Sequence, residues 1–304
     1  MLLRSLAALA ILLLARVASA EPLAPAPVTL RARSVESDTL IAWVSDEYAA
    51  QRRSLVVGPE ASRPVTLDVE GSIPDVQDAI VRASGAGTLA LGRATLVGGP
   101  GRLRAARASA EAERLASGGY RGRRVTAVFH RIRLLKLLGL LADVSKRRIE
   151  VAEGVEQRIT VAVANMPWDE VVDALAAACG LTVRQEGVAT RLARRDDVTP
   201  RFSPIALDLS DEPRPTPRAF AIAAPGHCNS PLTEVELGEL KVTAVLAGVR
   251  QPGALVRLPA GDQFLLRWRS CVGVGRGEVV RIATEGIVVA EAGVERTLPL
   301  VPAP

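Results

Sequence analysis

The sequence predicts an α+β protein: two small β-α-β-β-α-β modules in tandem, followed by a small antiparallel all-β domain of the barrel or sandwich type. Three observations carry this. Val28 to Val97 and Val125 to Ala193 follow the same plan. Within each copy the apolar period alternates between 2, as in a half-buried strand, and 3.6, as in an amphipathic helix. Beyond Pro231 helical periodicity ceases, and short β-like runs alternate with turn signals.

Each copy opens on a strand, Val28-Thr29-Leu30 in the first and Val125-Thr126-Ala127-Val128-Phe129 in the second. A helix follows, burying Leu40, Ile41 and Val44 in one copy and Leu134, Leu137, Leu138 and Leu141 in the other. Paired strands come next, Leu55-Val56-Val57 with Val65 to Val69, and Ile149-Glu150-Val151 with Ile159 to Val163. Strict alternation places Val65, Leu67 and Val69 inward and Thr66, Asp68 and Glu70 outward, so each sheet is expected to be covered on one side. A second helix starts at Ile73-Pro74 or Met166-Pro167, where a missing N–H is tolerated in the first turn, and ends at Gly85 or Gly180. A last β-like run closes each copy, the second passing through a turn at Glu186-Gly187.

The C-terminal runs are Leu240 to Leu246, Ala254 to Leu258, Gln263 to Trp268, Glu278 to Ile282 and Gly286 to Ala290. Gln251-Pro252-Gly253, Pro259-Ala260-Gly261 and Glu285-Gly286 form the corners between them. Residues 99–124, rich in Gly, Ala and Arg and partly helical from Ala105 to Leu115, read as a linker, as do the Pro-rich residues 195–230. The expected division is therefore a signal peptide over residues 1–20, a module over 28–98, a linker over 99–124, a second module over 125–194, a second linker over 195–230 that frees the tail to move, and a β domain over 231–304.

The signal peptide rests on Arg4, the apolar run Leu6 to Leu14 and the small-residue site Ala18-Ser19-Ala20. Arg16 breaks that run short of the roughly 20 residues a spanning helix needs, and no later segment is long and apolar enough to span. The formal charge of +5 does not imply a nucleic-acid partner, because the arginines are scattered among Asp and Glu without a basic stripe or interleaved aromatics. With only 3% aromatic residues the core must be aliphatic, and Trp43, Trp168 and Trp268 each stand in apolar runs, which argues against sugar stacking.

No catalytic, metal or cofactor motif stands out. Cys228 and Cys271 bracket the β domain and are expected to form a disulfide in an oxidising compartment, with intermolecular pairing as the alternative. Cys179 lies on the apolar face of a helix and reads as a buried hydrophobe. His227 is adjacent to Cys228, but neighbours rarely chelate one ion, and His130 belongs to a surface or capping role at a strand end. Gly273-Val274-Gly275-Arg276-Gly277 lacks nucleotide-loop spacing and reads as a turn, while Asp169-Glu170 suits a helix N-terminus.

Val125 to Ala193, with Asn165-Met166-Pro167-Trp168 starting the second helix and the turn Arg184-Gln185-Glu186-Gly187, resembles the secretin and TonB short N-terminal (STN) domain, and Val28 to Val97 resembles a diverged second copy. In outer-membrane secretins that domain stands at the periplasmic end of the channel; in TonB-dependent transducers it contacts a regulator. The tail, through Leu237 to Val242, Ala254 to Arg257 and Gly275 to Ile282, is similar to the periplasmic domain of the type IV pilus assembly lipoproteins of the PilP type, to which the homology region of type II secretion inner-membrane proteins is related. That family links the secretin to the inner-membrane platform. The sequence departs from both families, with neither a secretin channel region nor a lipobox cysteine. The resemblances imply a non-enzymatic, cofactor-free periplasmic interaction protein of a secretin-based machine, with type IV pilus assembly foremost, whose partners are the outer-membrane secretin and inner-membrane pilus or secretion proteins. The alternative is a free-standing periplasmic protein that binds peptidoglycan or polysaccharide.

Overall fold

A computed structural model describes residues 27–47, 54–205, 221–222, 228, 231–249 and 251–302. The signal-peptide reading, His227 and most of the Pro-rich segment lie outside the described residues. The protein is α+β, as the periodicities predict, and the two copies have one topology. The first comprises β1 (Val28–Glu36), α1 (Ser37–Glu47), β2 (Ser54–Val57), β3 (Pro64–Gly71), α2 (Ile73–Ala83), β4 (Gly87–Leu91) and β5 (Ala94–Gly98). The second comprises β6 (Arg124–Arg133), α5 (Leu134–Ser145), β7 (Arg148–Ala152), β8 (Arg158–Pro167), α6 (Trp168–Cys179), β9 (Leu181–Glu186) and β10 (Ala189–Arg194).

Local chemistry explains the boundaries. Ser72 and Asp75 close a reciprocal capping box at the start of α2, with Pro74 in its first turn. Gly180 ends α6 with φ 71°, a left-handed conformation that costs glycine little. The first and third strands of each copy share a bulge. Ser34 (φ 51°) and Arg131 (φ 48°) are both left-handed. Their backbone N–H groups donate to Thr66 Oγ1 and Thr160 Oγ1, each at 3.1 Å. A non-glycine residue with positive φ needs such local compensation, and its occurrence at the same position in both copies confirms their equivalence.

The strand pairing differs from the expected one. The two middle strands of each copy do not pair with each other. Instead the first and third pair antiparallel, β1 with β3 and β6 with β8, and the second joins the closing hairpin in parallel, β2 with β5 and β7 with β10. Each copy therefore has a two-strand half and a three-strand half, and the halves fuse across copies. One sheet runs β4-β5-β2-β8-β6, so β2 of the first copy lies against β8 of the second with Val56 opposite Val161. This sheet is covered on both sides, not one. Leu55 and Val57 face the core built on α1 and α2, whereas Val56 and Val161 face the core around α6.

Residues 99–124 are not a free linker. They form α3 (Pro100–Arg107) and α4 (Ala110–Ser117), which pack on α6. The sequence shows a helical tendency here, but the buried positions are few, Ala106, Glu111, Ala112 and Leu115. The second segment contributes β11 (Phe202–Pro204), antiparallel to β7. Its register, Pro204 opposite Glu150, reproduces on β7 the place that β8 takes on β2.

The tail forms β12 (Ala221–Ile222), β13 (Lys241–Ala247), β14 (Gly253–Arg257), β15 (Gln263–Leu266), β16 (Cys271–Val272), β17 (Gly277–Ala283), β18 (Gly286–Glu291) and β19 (Val294–Pro299). Two sheets stack as a sandwich around Val242, Val256, Leu266, Val279 and Val289. The tail is not independent of the repeats. Its first sheet continues into the first copy in the order β12-β15-β14-β13-β1-β3, with Leu246 opposite Leu30. Val242 and Val245 face the sandwich core, while Ala244 and Leu246 face Trp43 and Leu40. A strand buried on both faces should be sensitive to truncation: Leu246→Ala is expected to cost about 2–5 kcal/mol in urea unfolding. It should also perturb the near-ultraviolet signal of Trp43, which lies beneath the strand.

Candidate interaction surface

The face that the second copy turns to solvent is held in place by a buried polar junction at the start of α1. Asp38 Oδ2 lies 3.3 Å from His130 Nε2, and Thr160 Oγ1 donates to the same oxygen at 3.3 Å. Ser62 Oγ donates to Asp38 Oδ1 at 2.9 Å, and the Thr39 hydroxyl also meets His130 Nε2. Burial raises the Asp38 carboxyl, but the hydrogen bond and charge of His130, with help from Ser62 and Arg131, outweigh it and hold the group below its ordinary range. His130, expected as a surface or capping residue, instead fastens β6 to the first copy.

A second cluster holds the segment between the copies on α6. Arg114 donates to both oxygens of Asp173, Nε to Oδ2 at 2.9 Å and Nη2 to Oδ1 at 2.7 Å, and Tyr120 donates to Oδ2 at 2.6 Å. Burial, followed by the Asp173 contact, pushes the Tyr120 phenol well up. Glu111 accepts from the Val183 backbone N–H at 2.9 Å. Arg114, Tyr120 and Asp173 line a polar hollow of about 290 Å³ with Arg147, Trp168, Asp169 and Gln185, but its Asp173 carboxylate is fully engaged in structure.

Above these supports lies an open groove of about 390 Å³ between the inner face of β6 and α5. Val125, Ala127 and Phe129 form one wall and Leu137, Leu140 and Leu141 the other, with Val161, Val163 and Val171 at the base. Arg123 and Arg124 stand at its mouth. No acid, histidine or thiol is among its described lining residues, so its chemistry is the burial of apolar side chains beside a strand edge that no described strand pairs. Sequence reading missed it because Leu137 and Leu141 read as ordinary core and Leu140 lies off their stripe.

The residues singled out from sequence take the following places. Cys228 and Cys271 form a disulfide with their Cα atoms 5.1 Å apart, closing 43 residues of chain. Cys179 is buried, and burial pushes its thiol up to about 12. Gly273 to Arg276 form the turn from β16 to β17. Asp169 is in the first turn of α6 as expected, but Glu170 is buried and accepts from the Arg93 backbone N–H at 3.3 Å, fastening the β4–β5 turn. Trp43 and Trp168 are buried, whereas Trp268 is 63% exposed with the Arg269 guanidinium 5.4 Å from its ring centre. The expectation that all three tryptophans, standing in apolar runs, are unsuited to sugar stacking is corrected for Trp268, which follows β15 in a turn.

The fold and this surface define an α+β chain of duplicated modules fused through strand edges. No family model matches the chain. It is similar to the "Type IV pilus biogenesis and competence protein PilQ" of Neisseria meningitidis serogroup A, strain Z2491, with 28% identity over 95 residues, 30% of this chain and 12% of that protein. The protein of the same name from serogroup B strain MC58 is 28% identical over 79 residues, 26% of this chain and 10% of its own length. The chain thus spans about a tenth of the curated relatives it matches. The relatives it matches are named for type IV pilus biogenesis and competence.

The polar junction has a measurable signature. A carboxyl held below its unfolded value stabilises the protein fully above that value and loses the contribution as pH falls through the folded one. Asp38→Asn should therefore flatten the dependence of stability on pH below about pH 4. His130→Ala, which leaves the buried carboxylate without its main partner, should cost about 1–3 kcal/mol at neutral pH in urea unfolding. In the tail, Cys271→Ser is expected to lower stability by about 2–4 kcal/mol, and the intact protein should gain the mass of two hydrogen atoms on reduction.

Proposed function

We propose that this chain is a periplasmic, non-enzymatic interaction component of a secretin-based machine, serving type IV pilus assembly and bridging the outer-membrane secretin to the inner-membrane platform. The observation that carries the reading is the similarity to PilQ, a protein named for type IV pilus biogenesis, in a chain whose repeats follow the STN pattern. The surface agrees with it. An apolar groove beside a strand edge suits another polypeptide better than a small reactive substrate, and a disulfide suits an oxidising envelope compartment. The contact between β13 and β1 supplies a precedent within the chain, an all-β domain adding its strand to an STN-like module.

A second reading, binding of peptidoglycan or polysaccharide, is favoured by the exposed Trp268, whose ring is available for stacking against a sugar. Affinity purification of the tagged chain from crosslinked envelopes, followed by mass spectrometry, separates the two. Co-purification of a secretin with pilus inner-membrane proteins is the expected result. Retention on isolated peptidoglycan that Trp268→Ala abolishes, with no secretin captured, would establish the glycan reading in its place.

A further inference from the structure

The duplication allows each copy to be read against the other. Ala32 lies opposite Leu67 as Phe129 lies opposite Val161, with the shared bulge two residues further on. Val28, Leu30 and Ala32 therefore correspond to Val125, Ala127 and Phe129. Each helix follows its strand directly, so Leu40, Trp43 and Val44 correspond to Leu137, Leu140 and Leu141.

In the first copy these positions are sealed, none more than 2% exposed. The seal is β13, which lies antiparallel along the outer edge of β1 and sets Leu246 opposite Leu30 and Ala244 opposite Ala32. In the second copy β6 is the end strand of its sheet, and no described strand lies beyond it. Val125, Ala127, Phe129 and Leu140 are there only half-buried, and the space above them is the groove.

We propose that the β6 edge is a strand-acceptor site, occupied by an extended segment of another protein in the way that β13 occupies β1. The proposal rests on the interaction reading above and gives it a location. The pattern of side chains defines the occupant. Where β1 has Leu30 then Ala32, β6 has Ala127 then Phe129, so the incoming strand needs a large aliphatic residue opposite Ala127 and a small one opposite Phe129. Leu140 in place of Trp43 widens the groove for that aliphatic side chain. Arg123 and Arg124 at the mouth favour carboxylates flanking the strand. A second copy of this chain cannot supply its own matching strand without unfolding, because β13 is held between β1 and β14.

The test uses the purified chain and a fluorescent peptide carrying the β13 sequence, Lys241 to Ala247, extended by two aspartates at each end. Saturable binding, read by anisotropy and weakened by salt, is expected, with slowed amide exchange along β6. Leu140→Asp should weaken binding at least tenfold, and Arg124→Glu, an exposed position whose guanidinium donates to the Asn165 carbonyl, several-fold. A peptide with aspartate at the place of Leu246 should not bind. Absence of saturable binding at millimolar peptide, equal binding by both variants, or protection at another strand overturns the proposal. A concentration-dependent dimer that Leu140→Asp disperses overturns it too, since the groove would then belong to a second copy. Envelope crosslinking with Leu140→Asp separates this idea from the broader one. Loss of the pilus partners supports the site, whereas undiminished capture refutes the site and leaves the machine reading standing.

Discussion

The antiparallel contact of Leu55 to Val57 with Thr160 to Ala162 governs the rest of the structure. A module of this size makes two small half-sheets, each with edges whose N–H and C=O groups need partners. Fusing the three-strand half of one copy to the two-strand half of the next satisfies both edges at once. It also creates a central sheet with helices on either face, so that neither copy needs to fill a core alone. The burial of Asp38, Thr160 and His130, and the docking of the segment between the copies onto α6, follow from that alignment.

The same device recurs in three places with different strands. β8 joins β2, β13 joins β1, and β11 joins β7. Edge pairing is thus the means by which this chain attaches one unit to another, while within each copy Thr66 and Thr160 hold the bulges of β1 and β6. A protein already assembled from added strands is suited to accept one more. What distinguishes the β6 edge from the outer edge of β3 is the apolar groove behind it; β3 presents Thr66, Asp68 and Glu70 to solvent, with Asp68 held by Arg33 at 2.6 Å.

The functional reading gains from this arrangement beyond the sequence similarity. The tail is fastened to the repeats through β13 and closed on itself by Cys228 and Cys271, so the groove on the second copy and the exposed Trp268 in the tail belong to one continuous body. Separate surfaces on one folded unit are what a bridging component requires, since each partner can be engaged without displacing the other.

The sequence alone did not show β11, β16 or β19, but it determined most strands and helices of residues 28–98 and 125–194, that these two stretches follow one plan, and that Cys228 can meet Cys271. These depend on local periodicity, on turn chemistry and on counting, all written in side chains. It could not determine which strand lies beside which. Backbone hydrogen-bonding groups are the same at every residue, so nothing in Leu55-Val56-Val57 distinguishes a partner within its own copy from Val161, about a hundred residues away. Nor could it show that His130 faces Asp38, that Glu170 and Asp173 are buried partners of arginines, or that Trp268 stands in water. Leu137 and Leu141 read as core because their spacing is that of a core helix, and Leu140 lies off that stripe. Only the tertiary structure shows that β13 seals the matching helix of the first copy while no described strand takes that place on β6, and that difference makes the groove a surface.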